Sequence, residues 1–299
     1  MTRRRAILAL SLLGAPCLAS AETVSRTVGQ VTMTADLSQA YPGGIVVARL
    51  RSRYGLGTTY AILDGRRVPF VESAQGPRAI DPVPLTAKAG PETLGIEIFA
   101  RRGRQRIPLD IAIAAHDYPP RTVVIPETRR HLVRSPEATR ASRQLLTLVR
   151  TESQRALWQG PFRPPVSAEP AASFGSPQTY VGGSPVEYLT DGAFGEQHRG
   201  LDYDAPAGTV VQSPAAGVVL FTGHMPVPGN VVVLDHGQGV VSVLSHLSRI
   251  DVREGESVEA RVPLGLSGDS GVAAGPLVEW RLYVHGIAVD PRVMDGLGN

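Results

Sequence analysis

Three short stretches near the C-terminus hold residue types that bind divalent cations and move protons. "HRGLD" sets His198 and Asp202 four residues apart around Gly200, "VLSHLS" carries His246, and "GPLVEW" carries Glu279. An imidazole nitrogen and a carboxylate oxygen can meet at one divalent ion. A further histidine beside such an ion can hold or transfer a proton near neutral pH. The glycine between His198 and Asp202 allows a bend that brings both side chains to one ion. Taken singly, each residue has an ordinary structural explanation: a turn histidine with a solvated aspartate, or a lone core-edge histidine on the strand face of Leu244 and Ser248. Their order along the chain is more specific than any one of them.

That order is "HRGLDYDAPAGTVVQSPAAGVV", then "GNVVVLDHGQGVVSVLSHLS", then "VREGESVEARVPLGLSGDSGVAAGP", then "GIAVDP". It resembles the lysostaphin/LytM-type zinc metallopeptidases, bacterial enzymes that cut peptide bonds in peptidoglycan, over roughly the last hundred residues. The resemblance implies zinc as cofactor and peptidoglycan peptides as partners. It assigns the two ligands of the family's HxxxD motif to His198 and Asp202, and its water-activating strand histidine to His246. The family's HxH motif falls on Leu277 and Glu279, whether one counts forward from Gly275-Pro276 or back from Val289-Asp290-Pro291. Leu277 thus stands in place of a catalytic histidine, Glu279 in place of the third ligand, and Arg281 where an acid is usual.

These departures differ in weight. Glutamate is an ordinary zinc ligand, although one histidine with two carboxylates is more anionic than the commoner sets and makes zinc a weaker Lewis acid. Leucine neither transfers a proton nor donates to an oxyanion, a loss worth about 10²–10³ in rate. Glu279 on a strand shares the face of Leu277 and points into the groove. A carboxylate there needs an electropositive partner. Zinc satisfies it, and so does an arginine such as Arg281; both readings stand at this stage.

The elements that must position these residues are β throughout. The fold class expected is predominantly all-β: an N-terminal immunoglobulin-like sandwich (22–118), a helical linker (119–160) and a C-terminal β-barrel or folded sandwich of LytM type (161–299). "VTMTADL", "IVVARLRS" and "LGIEIFARRGRQRIPLDIAIAA" alternate as strands, with hairpin signals at Asp64-Gly65 and near Arg102-Gly103. "DYPPRTVVIP" reads as a stiff extended link. Ser135-Pro136-Glu137 starts a helix expected to run to about Trp158, with Leu145, Leu146, Val149 and Leu157 on its apolar side. "QGPFRPPVSAEPAASFGSP" marks entry to the second domain. His236 and His285 are expected as solvated turn residues, and His224 in a loop near the groove.

Residues 1–21 read as a secretory signal: Arg3, Arg4 and Arg5, an apolar run from Ala6 to Leu18, and Ala19-Ser20-Ala21 for cleavage. That run is too short to span a bilayer, and no membrane span is expected. The sole cysteine, Cys17, lies inside it, so the mature protein is expected to hold neither disulfides nor thiolate ligands. Without the three leading arginines, 27 basic residues face 27 acidic ones, and no nucleic-acid partner is expected. Localisation is periplasmic or extracellular. A lipoyl-type carrier needs a lysine on an exposed turn, but the only lysine, Lys88, lies in the other domain. Two functions remain: a zinc endopeptidase of reduced or altered activity, and an inactive module that binds peptidoglycan or activates another wall hydrolase.

Overall fold

A computed structural model describes residues 23–53, 58–100, 103–133, 135–151, 155–182 and 197–297. Residues 1–21, read as a secretory signal, and Cys17 within them lie outside the described residues. The first eight strands are β1 (Thr23–Val28), β2 (Val31–Asp36), β3 (Ile45–Ser52), β4 (Thr59–Leu63), β5 (Arg66–Pro69), β6 (Arg78–Pro82), β7 (Gly90–Ala100) and β8 (Gly103–Ile113). They form two four-stranded antiparallel sheets, ordered β1-β2-β3-β6 and β5-β4-β7-β8. Met33, Ala48 and Leu50 of one sheet and Leu94, Ile96 and Ile107 of the other close a common core. The Asp64-Gly65 hairpin turns with both residues at positive φ (51° and 76°), the conformation a two-residue turn of this hand requires.

Strand β3 explains why "IVVARL" is apolar on both faces. Val46, Ala48 and Leu50 enter the sandwich core, while Ile45 and Val47 enter the core of the C-terminal half; on β6, Ala79 and Ile80 divide the same way. The N-terminal sheet and the C-terminal half therefore share one hydrophobic core. Arg78, fully buried, fixes the junction: its Nη2 donates to Gln238 Oε1 at 2.7 Å, and its guanidinium lies 5.5 Å from the ring centre of Trp158.

The stretch read as a stiff link is a strand, β9 (Arg121–Val124), followed by a single 3₁₀ turn and the short helix α1 (Arg130–Val133). Helix α2 (Pro136–Leu148) begins as expected, with Ser135 Oγ accepting from the Ala138 amide at 3.0 Å. It ends ten residues before Trp158, because Val149 and Trp158 must both reach the core, which a continuing helix would not permit; Leu157 is exposed. The Pro-rich entry is itself core: Phe162 is fully buried and packs edge-on against Trp158.

The C-terminal half contains β10 (Pro170–Ala172), β11 (Gln178–Val181), β12 (Leu201–Asp204), β13 (Val210–Gln212), β14 (Gly217–Met225), β15 (Gly229–Gly237), β16 (Val240–Ile250), β17 (Ser257–Val258), β18 (Pro263–Ser267), β19 (Leu277–Val284) and β20 (Ile287–Val289). Ten of these strands make one antiparallel sheet with the order β10-β12-β19-β16-β15-β14-β17, β20 lying on β19 and the β13–β18 pair joining at β16. Strand β11 stands apart and pairs in parallel with β9. Among the described residues, no helix is long and apolar enough to cross a membrane.

Candidate metal centre

Three adjacent strands set the site. In the β12–β19 register Asp202 lies opposite Glu279, and in the β16–β19 register Glu279 lies opposite Ser245. Two carboxylates in directly opposed positions repel, so the row calls for a cation. His198, just ahead of β12, completes the cluster: its Nε2 lies 3.1 Å from Asp202 Oδ1 and 3.3 Å from Glu279 Oε1. Its Nδ1 lies 3.0 Å from the Ser173 carbonyl, so Nδ1 carries a proton in either charge state and Nε2 faces the two carboxylates.

Gly200 serves this arrangement by closeness rather than by bending. It lacks the positive φ anticipated from a bend, and a Cβ there would stand 2.8 Å from the Trp280 carbonyl and 3.2 Å from Glu279 Cγ. Only glycine lets the HxxxD segment lie against β19 at this separation.

His246 does not follow simple alternation with Leu244 and Ser248. The β15–β16 pairing slips between Val232↔Leu244 and Asn230↔Leu247, and His246 occupies the resulting bulge at φ 66°. Bulges re-aim side chains, and a non-glycine residue in this left-handed region costs about 1–3 kcal/mol. The amide of His246 donates to the Pro228 carbonyl at 2.8 Å, and Nδ1 lies 2.9 Å from the Ser270 carbonyl. Its Nε2 thereby faces the cluster, 4.0 Å from Glu279 Oε2.

Two guanidinium groups close on the carboxylates. Arg281 Nε donates to Glu279 Oε1 at 2.8 Å, and Arg121 Nη1 donates to Asp202 Oδ2 at 2.7 Å. Of the two partners expected for Glu279, the structure supplies the arginine: the oxygen that accepts from Arg281 also lies 3.3 Å from His198 Nε2. Glu279 Oε2 is buried and has no hydrogen-bond partner among the described residues. Burial opposes ionisation of Glu279, but Arg281, His198 and His246 hold its carboxyl well below the usual range. Burial likewise opposes charge on His198, yet Asp202 and Glu279 outweigh it and push the imidazole up to about 9. For Asp202, burial is outweighed by His198 and Arg121, and its pKa is lowered.

The donor set fits a zinc ion. Ligand bonds of about 2.0–2.2 Å in a tetrahedron give edges of roughly 3.3–3.5 Å between donor atoms. The observed 3.1 and 3.3 Å lie near that spacing, and all three ligand residues offer atoms within 4.8 Å of one another. Glu279 Oε2, without a hydrogen-bond partner among the described residues, offers a further acceptor to the site.

The cluster lies in a groove of about 280 Å³ whose walls include Leu277, Tyr180, Arg199 and Ala273, with β9 along one side. Sequence reasoning brought together His198, Asp202, Glu279 and His246, and it placed Leu277 and Arg281 beside them. It missed Arg121, which is 81 positions from its partner and carries no local signal. Three other histidines differ from expectation. His236 is fully buried, with Nδ1 2.9 Å from the Ala216 carbonyl, Nε2 2.8 Å from Ser242 Oγ, and its ring edge-on to Phe162; burial pulls its pKa down to about 4. His285 sits at the expected β19–β20 turn but is largely shielded, and burial pulls it to about 4 as well. His224 lies on β14 rather than in a loop, exposed and 3.1 Å from Asn230 Oδ1, away from the groove lining.

Residues 196–291 match the sequence profile of peptidase family M23. A peptidoglycan DD-endopeptidase of Vibrio cholerae serotype O1, ShyA, is 39% identical over 93 residues, 31% of this chain and 22% of its own length. The DD-carboxypeptidase/endopeptidase Mpg of Neisseria meningitidis serogroup B is 36% identical over 94 residues, 31% of this chain and 22% of its own length. The match therefore spans about a fifth of these relatives. A crystal structure from Pseudomonas aeruginosa, described under peptidase M23, superposes with a TM-score of 0.58 and 26% identity, covering 87% of this chain and 96% of that one. That likeness takes in the strands upstream of the matched segment. Through residues 196–291, this chain carries a segment that matches peptidase family M23.

Proposed function

We propose that this chain is an exported zinc metallopeptidase directed at peptidoglycan peptides and working below the family's full rate. The observation that carries this reading is the spacing of His198 Nε2, Asp202 Oδ1 and the Glu279 carboxylate, with one buried Glu279 oxygen unpartnered among the described residues. His198, Asp202 and Glu279 would hold the metal. A zinc ion supplies Lewis acidity toward a scissile carbonyl and acidifies water.

The chain's own residues do the rest. The Ser173 carbonyl holds the His198 tautomer, and Arg281 orients the carboxylate of Glu279. His246, aimed by its bulge and by the Ser270 carbonyl, is the proton-handling group. Leu277 offers nothing in the place of a second such group, which leaves His246 alone with the proton transfer and oxyanion duties. The immunoglobulin-like part (22–118) and the linker (119–160) belong to the same reading as a scaffold, and residues 1–21 as the export signal that delivers the protein to the periplasm or beyond.

A second reading, an inactive module that binds wall peptides or activates another hydrolase, is favoured by Leu277 and by the Arg281–Glu279 pair. Elemental analysis of the mature protein, together with digestion of cross-linked wall fragments, separates the two. The enzyme reading expects about one zinc per chain and cleavage that His198→Ala and His246→Ala both abolish. Zinc-free protein with no cleavage overturns it.

A further inference from the structure

We propose that Arg121, contributed by β9 outside the M23-matched segment, is a positioning residue of the metal centre. It captures Oδ2 of Asp202, so that the carboxylate presents Oδ1 alone to the cation. This rests on the reading that the site holds a metal.

The argument begins with the division of the two oxygens. Oδ1 lies 3.1 Å from His198 Nε2, on the cation side, whereas Oδ2 receives Arg121 Nη1 at 2.7 Å. A charge-assisted bond of that length fixes which oxygen faces the site. An unrestrained aspartate could turn, chelate through both oxygens, or leave. The groups behind a ligating carboxylate commonly set affinity in this way.

The same short segment places both partners. Arg121 donates its amide to the Pro177 carbonyl at 2.8 Å, and β9 runs in parallel register with β11 from Arg121↔Gln178 to Val124↔Val181. The residues just before β11 hold His198: Ser173 accepts at its ring, the Ser176 carbonyl accepts its amide at 2.8 Å, and Gly175 donates back to its carbonyl at 2.7 Å. Residues 173–178 are therefore a common ruler for the imidazole and the guanidinium. The strand is pinned at both ends. Tyr118 Oη donates to the Pro42 carbonyl at 2.6 Å ahead of it. Beyond it, Arg129 pairs with Asp269 Oδ2 at 2.9 Å and also donates to the Asp269 and Ala273 carbonyls. A segment so anchored is a built wall of the groove.

The test uses the full mature chain, stripped of metal and titrated with zinc against a chromophoric chelator, and in parallel with cobalt(II) read by its visible absorption. Arg121→Gln is expected to weaken zinc binding by about 10–100-fold and to change the cobalt band, while metal-free unfolding stays near wild type. Arg121→Lys, which restores the cation, is expected to recover much of the affinity. Should Arg121→Gln fail to fold, Arg121→Met keeps the packing of the stem and gives the same readout. Unchanged affinity in the neutral variants overturns the proposal. Tighter binding also overturns it, and marks β9 as a competitor of the metal. A wild-type chain that takes up no zinc overturns the metal reading itself, and this proposal with it.

Discussion

Replacing Gly200 by alanine strikes the metal centre through the sheet rather than through a ligand. The added methyl would sit 2.8 Å from the Trp280 carbonyl, 3.0 Å from Arg281 Cγ and 3.2 Å from Glu279 Cγ, whereas ordinary contact begins near 3.4 Å. The obstacle at 2.8 Å is backbone in a central strand, so β12 and β19 must separate by several tenths of an ångström. Overpacking of this kind costs about 1–3 kcal/mol of stability. The donor spacing suffers more than the fold. Metal–ligand distances tolerate about 0.2 Å, and the strand displaced from β19 is the one that bears Asp202. Gly200→Ala is therefore expected to remain folded, with a midpoint lowered in urea, and to lose zinc affinity well beyond that loss of stability. Urea titration of the metal-free protein and zinc competition on the same preparation measure the two effects separately. Wild-type zinc affinity in a folded Gly200→Ala protein would refute the claim that this close approach sets the site.

Three further outcomes follow from the same geometry. His236 is buried with its pKa near 4 against 6.5 in the unfolded chain. The unfolded state thus binds the extra proton between those values, and the contribution of His236 to stability falls as pH drops from 6.5 to 4, by about 3 kcal/mol at 1.36 kcal/mol per pH unit. Urea midpoints across that range check this, and a His236→Phe variant with an undiminished slope would contradict it. Leu277→His restores a proton-handling group to the groove wall and is expected to raise cleavage of wall fragments by about 10²–10³-fold; no gain would remove Leu277 as the cause of reduced activity. Zinc at a hundredfold excess over its dissociation constant is expected to stabilise the fold by about 2.7 kcal/mol. Thermal melts with and without chelator read this directly, and Glu279→Ala should abolish the difference.

The convergence of His198, Asp202 and Glu279 was legible through the family resemblance: the order of the motifs marked HxxxD, and the count from flanking Gly-Pro and Asp-Pro landmarks reached Glu279. The strands upstream were legible from alternation, though β3 hid a second function, since its odd and even positions serve two different cores. The aim of His246 was not legible, because a bulge is a matter of pairing between strands and leaves alternation in the single strand unmarked. The end of helix α2 was set by the demands of Val149 and Trp158 on the core, which override helical preference. His236 looked like a turn residue because "DHGQG" is a turn sequence; its burial comes from Phe162, 74 positions away. Arg121 illustrates the same limit at the site itself.

The core that runs from β3 and β6 into the C-terminal half has a consequence for anyone who would excise the M23-matched part. A fragment beginning at residue 161 would lack Ile45, Val47, Ile80 and Leu85, and would bare the apolar surface that these side chains cap. It would also lose Arg78 from Gln238, and with residues 119–125 gone, one rim of the cleft. The family match begins at residue 196, whereas the core in which the matched strands pack reaches back to β3 and β6.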